Sequence, residues 1–137
     1  MEGFKLKEKI KEIYNAEKLS VNDSLIEWHN NVIEKTQAEL TISDVARCIR
    51  QNIFVETAYE MLLVYLTQDP LAGDMYLGEL MEKAREVDKQ LILKHSKSLQ
   101  DIIIIAEAFI QDNEWELEDE KEEFSKSVDN LKKIIGE

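Results

Sequence analysis

The sequence has little cysteine, proline or glycine: one Cys, one Pro and four Gly in 137 residues. The single thiol, Cys48, excludes an internal disulfide and is compatible with a reducing compartment. The low glycine and proline counts exclude collagen-like and low-complexity chains. The four glycines are also too scattered to form a GxGxxG or P-loop phosphate cradle. Fibrous, disulfide-stapled and these nucleotide-binding classes are therefore excluded.

Long hydrophobic runs are missing as well. The most apolar run, from Ile102 to Ala106, is followed at once by Glu107, so it cannot span a bilayer. The first nine residues contain no apolar stretch of signal-peptide length. We therefore expect a soluble, cytoplasmic protein.

Positive charge is scarce, because 17 Lys and Arg stand against 29 Asp and Glu, for a formal net charge of −12. Nucleic acids and anionic membranes are bound mainly through Lys and Arg, so the charge balance argues against both partners. A hydrophobic content of 44% is too high for a disordered acidic tail. The excess of acid suits a basic protein partner, or serves solubility alone.

Apolar residues recur at helical spacing along the chain, and no alternating strand pattern interrupts them. Seven helical segments are predicted: Leu6 to Tyr14, Leu25 to Ile33, Ile42 to Arg50, Val55 to Leu66, Leu77 to Leu91, Ile102 to Ile110 and Phe124 to Ile135. The chain is therefore predicted to be an all-α, single-domain bundle of about seven helices over residues 1–137.

Helix boundaries are indicated by short polar motifs. Capping boxes are predicted at Ser20, Thr41 and Ser98, each followed three positions later by Asp. Asp69-Pro70 should end the fourth helix, because the residue before proline avoids the helical region. The four isoleucines from residue 102 to 105 could form a strand, but the flanking Ala-Glu-Ala and the cap favour a buried helix.

No pattern in the sequence indicates catalysis or metal binding. Helical di-iron sites need Glu-x-x-His pairs, but Ile26 and Ile92 stand three positions before His29 and His95. Cys48 is predicted to be a core thiol rather than a nucleophile. His29 is predicted to be structural rather than a ligand or base. We expect no catalytic residue, no metal ligand, no cofactor and no enzymatic activity.

One segment concentrates the negative charge. Residues 112–123, the acidic tract, contain eight acidic residues and one lysine, a net −7. One interpretation is a solvated loop and helix N-terminus, where acids complement the helix dipole. The other is a docking surface for a basic partner, with Trp115 either as its anchor or as a tether to the core. The candidate partner-binding residues are Asp112, Glu114, Trp115, Glu116, Glu118, Asp119, Glu120, Glu122 and Glu123.

The middle of the chain resembles a known family. The resemblance rests on residues 40–51 and 56–62, and above all on Asp69-Pro70-Leu71-Ala72-Gly73-Asp74 followed by Tyr76-Leu77-Gly78-Glu79-Leu80. These motifs are similar to those of small helical immunity proteins that accompany contact-dependent growth inhibition (CDI) toxins and related polymorphic toxins. The match covers about residues 24 to 84. Glu79 stands where the family usually has Asp.

The matching residues are predicted to build the scaffold. Gly73 and Gly78 should allow a turn and a close approach between helices, and Asp74 should cap the next helix. Three polar side chains should brace this loop rather than bind a ligand, namely those of Arg47, Arg50 and Gln51.

The resemblance implies an immunity protein that binds and neutralises the C-terminal domain of a cognate toxin. Together with the charge, it leads us to expect a basic toxin domain, a nuclease, occluded by the acidic tract in a 1:1 complex with a monomer. Trp28 remains open as a core anchor or an interface residue. The alternative function is a cytosolic helical chaperone or regulatory adaptor for a basic protein partner.

Overall fold

Helices dominate the computed structural model, which describes residues 24–136. Within this range there are seven α-helices, one short 3-10 helix and no β-strand. In chain order they are α1 (Ser24–Val32), the 3-10 helix (Gln37–Glu39), α2 (Ile42–Gln51), α3 (Val55–Gln68), α4 (Glu79–Lys83), α5 (Lys89–Lys94), α6 (Ser96–Asp112) and α7 (Glu118–Gly136). The predicted all-α bundle is confirmed. The helix predicted around Leu6 to Tyr14 and the cap predicted at Ser20 lie outside the described residues.

The capping box predicted at Thr41 begins α2. The Thr41 hydroxyl accepts the backbone N–H of Asp44 at 3.0 Å, and the Asp44 carboxylate accepts that of Thr41 at 3.0 Å. The same carboxylate accepts the indole N–H of Trp28 at 3.0 Å and lies 2.5 Å from Nζ of Lys35. The guanidinium of Arg47 lies 4.9 Å from the centre of the Trp28 ring. Asp44, which is 5% exposed, therefore ties α1 and the following loop to α2.

The stability that Asp44 contributes should depend on pH. Burial raises the pKa of its carboxyl, but hydrogen bonds from Lys35, Thr41 and Trp28 outweigh burial, so the folded-state pKa lies below the ordinary value of 3.8. The ionised carboxylate is stabilising above that value, and the contribution is lost as the pH falls below it. Asp44→Asn should cost about 2 kcal/mol at neutral pH in urea unfolding, and less at an acidic pH well below 3.8, where the carboxyl becomes protonated. Equal costs at both pH values would contradict this.

The break between α2 and α3 falls between the helical segments predicted over Ile42 to Arg50 and Val55 to Leu66. Asn52 and Phe54 both adopt left-handed backbone conformations, with φ of 57° and 53°. Asparagine tolerates this region, whereas phenylalanine is strained there. The Phe54 side chain is buried and stacks on His29 with ring centres 5.8 Å apart, and this packing offsets the strain. His29 therefore has the structural role predicted for it.

The single helix predicted from Leu77 to Leu91 is wrong, because the chain forms two short helices, α4 and α5, in this region. In a continuous helix the carbonyl of Ala84 would accept the N–H of Asp88. Here the buried hydroxyl of Tyr59 donates to that carbonyl at 2.7 Å. Asp88 instead leaves the helical region, with ψ of 135°. The α-helical bonds stop one turn earlier, since Arg85 and Glu86 already donate to the carbonyls of Glu82 and Lys83, three positions before them. The Tyr59 hydroxyl satisfies the Ala84 carbonyl that the break leaves without a helical partner.

The cap predicted at Ser98 is also wrong. α6 begins at Ser96. His95 is both the C-cap residue of α5 and the N-cap residue of α6, so Ser98 lies inside the helix. The isoleucine run is helical as predicted, but only half of it is buried. Ile102 and Ile103 face the core, whereas Ile104 and Ile105 are exposed.

The core is one continuous cluster to which every α-helix contributes a side chain. α2 packs on α3, α3 packs on α6, and α7 packs on α6, α4 and α5. Cys48 is fully buried in this cluster, as predicted. Burial raises the pKa of its thiol to about 12, with a further contribution from the charge of Asp44. The thiol is therefore protonated and inert as a nucleophile near neutral pH.

Candidate protein-binding surface

The loop between α3 and α4 (residues 69–78, the α3–α4 loop) is held by hydrogen bonds of its own. Asp69 accepts the N–H of Leu71 at 2.9 Å, and Gly78 donates back to the Leu71 carbonyl at 2.9 Å. Glu79 is 1% exposed, and one of its carboxylate oxygens accepts the N–H groups of Asp74 and Met75 at 2.8 and 3.0 Å. The loop is therefore fixed by a buried acid at its end.

Asp74 does not cap the next helix, contrary to the sequence prediction. Gly78 occupies the N-cap position of α4, with φ of 82° and no side-chain cap. The carboxylate that organises this helix start belongs to Glu79, which reaches backward to the loop rather than forward along the helix. Its burial had no sequence signal beyond its place in the family-like motif.

The two loop glycines allow close approach, as predicted. A Cβ on Gly73 would lie 2.1 Å from the carbonyl oxygen of Tyr76. A Cβ on Gly78 would lie 3.0 Å from the Phe124 ring of α7. The α3–α4 loop thus folds tightly on itself and packs against α7 only because both positions lack a side chain.

Of the three side chains predicted to brace this loop, one contacts it. Nη1 of Arg50 lies 4.0 Å from Oε2 of Glu79 and 3.9 Å from the sulfur of Met75. Arg47 lies over Trp28 instead, and Gln51 is exposed.

Braced in this way, the loop presents three consecutive apolar side chains to solvent. Met75 is 72% exposed, Tyr76 48% and Leu77 61%. An exposed apolar group of this size on a fixed loop is typical of a protein-binding surface.

The acidic tract runs from the end of α6, through residues 113–117, into the first turns of α7. Trp115 is half-buried near its centre, with its ring centre 5.8 Å from that of Phe109 on α6 and 5.8 Å from that of Phe124 on α7. Its indole nitrogen is buried and has no hydrogen-bond acceptor among residues 24–136. Trp115 therefore tethers the tract to the core, which is one of its two predicted roles.

The carboxylates of the tract are turned outward. Seven are exposed and that of Glu120 is partly exposed. In the described part of the chain, none of the eight makes a hydrogen bond or ion pair. Elsewhere acids are used internally: Glu56 pairs with Lys94 at 3.1 Å and Glu107 with Lys132 at 2.7 Å. Glu118, Asp119 and Glu120 lie in the first turn of α7, where they complement the helix dipole.

A cleft of about 440 Å³ lies where the acidic tract meets the α3–α4 loop and α4. We call it the acidic cleft, and its lining residues are Tyr76, Leu77, Gly78, Glu82, Asp119, Glu120, Glu123, Phe124 and Ser127. The Tyr76 hydroxyl donates a hydrogen bond to Glu82. Burial, and then the hydrogen bond to Glu82, raises the pKa of Tyr76 well above its ordinary value. The fold thus joins family-like loop residues to the acidic tract in one site.

Across residues 24–136, no three His, Cys, Asp or Glu side chains are arranged to hold a metal ion. The same range contains no helix that is both long and apolar enough to cross a membrane.

A family model of CDI immunity proteins matches residues 9–102. The match spans more than half of the chain and extends beyond residues 24 to 84 on both sides, but it ends before the acidic tract. No curated protein matches the chain. Because the match covers α1 to α5, the α3–α4 loop and the start of α6, the chain belongs to the CDI immunity protein family.

Proposed function

We propose that this protein neutralises a CDI toxin by docking its acidic tract on a basic surface of the toxin domain. Family membership supplies the class of partner. The observation that carries the docking surface is that none of the eight tract carboxylates has an internal hydrogen bond or ion pair within the described residues. Five of them also lie outside the first turn of α7, so the helix dipole does not compensate their repulsion. A basic partner would offset that repulsion.

A nuclease is the toxin class that fits this surface best. An enzyme that binds phosphate groups needs Lys and Arg in its cleft. An acidic protein surface in that cleft would exclude nucleic acid by charge and by volume. Inhibition by occlusion requires no catalysis from the immunity protein, which agrees with a family that is generally non-enzymatic. We expect such a contact to bury about 800 Å² on each partner.

Neutralising tract residues outside the acidic cleft should slow association with the cognate toxin domain. The triple variant Asp112→Asn, Glu114→Gln, Glu116→Gln should lower the association rate roughly tenfold at low ionic strength. The difference should shrink in concentrated salt, because exposed charges are then screened. Stopped-flow or biosensor kinetics at several salt concentrations measure both effects.

A matched control removes the same charge elsewhere. Glu27→Gln, Asp88→Asn and Asp101→Asn neutralise three exposed acids outside the tract, and Asp88 makes no side-chain cap hydrogen bond. This variant should change the association rate by less than about threefold. Equal slowing by the two triple variants would show a general charge effect and overturn docking through the tract.

Occlusion is tested by toxin activity. The purified toxin domain should degrade nucleic acid when alone and lose that activity when an equal amount of the immunity protein is added. Co-expression should restore growth, and the tract variant should protect less well than its control. A toxin that stays active in a stable complex would overturn occlusion, and a toxin with no effect on nucleic acid would overturn the nuclease assignment.

A further inference from the structure

The acidic cleft has the size and the chemistry of a pocket for one amphipathic side chain. Its volume of about 440 Å³ lies within the range of small-ligand pockets. Leu77, which is 61% exposed, gives it apolar surface, and Gly78 and the edge of the buried Phe124 ring complete that part of the lining. The lining is therefore able to contact an aliphatic chain.

The charged groups of the lining have a single sign. Glu82 lies on one side, and three acids of α7, Asp119, Glu120 and Glu123, lie on the other. Among residues 24–136, no Lys or Arg lines the cleft. Anionic occupants are thus repelled, and a cation is attracted from both sides.

Apolar surface combined with carboxylates matches lysine and arginine, whose aliphatic stems carry a cationic head. We propose that the acidic cleft receives one lysine or arginine side chain of the toxin domain. The inference rests on the proposed function, since it names a pocket for the same basic partner. It separates two roles: the outer tract steers the encounter, and the acidic cleft holds the complex together.

The fixed conformation of the α3–α4 loop supports the role of the acidic cleft in holding the complex together. Glu79 fixes the α3–α4 loop from within, so Tyr76 and Leu77 are presented without the entropy cost of ordering a flexible loop. Tyr76 is fixed further by its hydrogen bond to Glu82. The Tyr76 hydroxyl keeps its proton, so its neutral aromatic ring offers an additional contact for a cation.

Two adjacent acids allow a test in which charge is matched. Glu122 and Glu123 are both exposed tract residues on α7, but only Glu123 lines the acidic cleft. Glu123→Arg supplies an internal cation that can occupy the cleft, and Glu122→Arg makes the same change of charge beside it. In the complex with the toxin domain, Glu123→Arg should raise the dissociation rate roughly tenfold, and Glu122→Arg less than about threefold.

A second pair tests the apolar part of the pocket. Leu77→Ala removes a lining side chain, whereas Met75→Ala removes a more exposed side chain of the same loop that does not line the cleft. Leu77→Ala should raise the dissociation rate about fivefold or more, and Met75→Ala should have a smaller effect. Circular dichroism and urea unfolding check that all four variants fold.

The outcomes separate the inference from the proposed function. If both arginine variants slow association equally and neither changes dissociation, the tract docks the toxin but the pocket assignment is overturned. The same holds if Met75→Ala is as damaging as Leu77→Ala. If neither arginine variant alters binding at any salt concentration, the acidic docking surface itself is overturned.

Discussion

Replacing Gly73 with alanine is expected to lower the free energy of unfolding by about 3 kcal/mol, the upper end for overpacking a tight site. The added Cβ would lie 2.1 Å from the carbonyl oxygen of Tyr76 and 2.8 Å from Cβ of Glu79. Neither contact can be relieved by rotating a side chain, because one atom is backbone and the other is the first carbon of a buried residue. The α3–α4 loop must therefore move as a unit.

Urea unfolding measures this loss, and the chain provides its own control. A Cβ on Gly136 would meet no atom within 4 Å, so Gly136→Ala should be neutral or slightly stabilising. Similar stabilities of the two variants would contradict the tight packing at Gly73. Because the loop carries Tyr76 and Leu77, Gly73→Ala should also weaken toxin binding under conditions where it is still folded.

Replacing Glu79 with alanine is expected to cost a similar amount, about 3 kcal/mol. Its carboxylate, which is 1% exposed, is the acceptor for the N–H groups of Asp74 and Met75. Alanine removes that acceptor, leaves a cavity, and deprives Arg50 of its nearby charge. Denaturant unfolding should show the loss, and hydrogen exchange should show faster opening of the loop amides.

Two companion variants identify which contact matters. Glu79→Gln keeps a carbonyl oxygen for the loop N–H groups and should cost only about 1 kcal/mol. Arg50→Ala removes the long, partly exposed ion pair and the contact with the Met75 sulfur, and should cost less than about 1 kcal/mol. If Glu79→Gln were as damaging as Glu79→Ala, the charge rather than the loop hydrogen bonds would be the stabilising feature.

Much of the helical architecture could be predicted from local patterns. The cap at Thr41 and the stop at Asp69-Pro70 depend on groups within a few residues of one another. Each of these signals is contained within a short stretch of the sequence. The apolar spacing of α3 and α7 likewise reports one buried face of each helix.

The sequence predictions were wrong where contacts between distant parts of the chain determine the local structure. The spacing from Leu77 to Leu91 fits one helix, but the α-helical bonds end after α4, and the Ala84 carbonyl at the break is satisfied by Tyr59, 25 positions earlier in the chain. The isoleucine run is uniformly apolar in sequence, yet α6 has neighbours on only part of its surface, so Ile104 and Ile105 are exposed. The periodicity of the sequence does not show which faces of a helix will pack against another helix.

The candidate site, too, could be predicted from the sequence only in part. The sequence locates the acidic tract, because charge density is visible without any contact, and it identifies the glycines of the loop. It does not indicate that Glu79 is buried, or that Leu77 and Glu82 belong to a site at all. The family resemblance indicates a scaffold role for the loop motif and the charge indicates a recognition role for the tract, but neither signal shows that the two line one cleft.

The sequence by itself determined the helix-rich class, the family-like loop and a net −7 in residues 112–123. These depend on composition and on short-range periodicity. The tertiary structure alone decided that the loop and the tract share a cleft, through the packing of Gly78 against Phe124. Their approach requires contacts between residues more than 40 positions apart, and no local preference of the chain encodes such a contact.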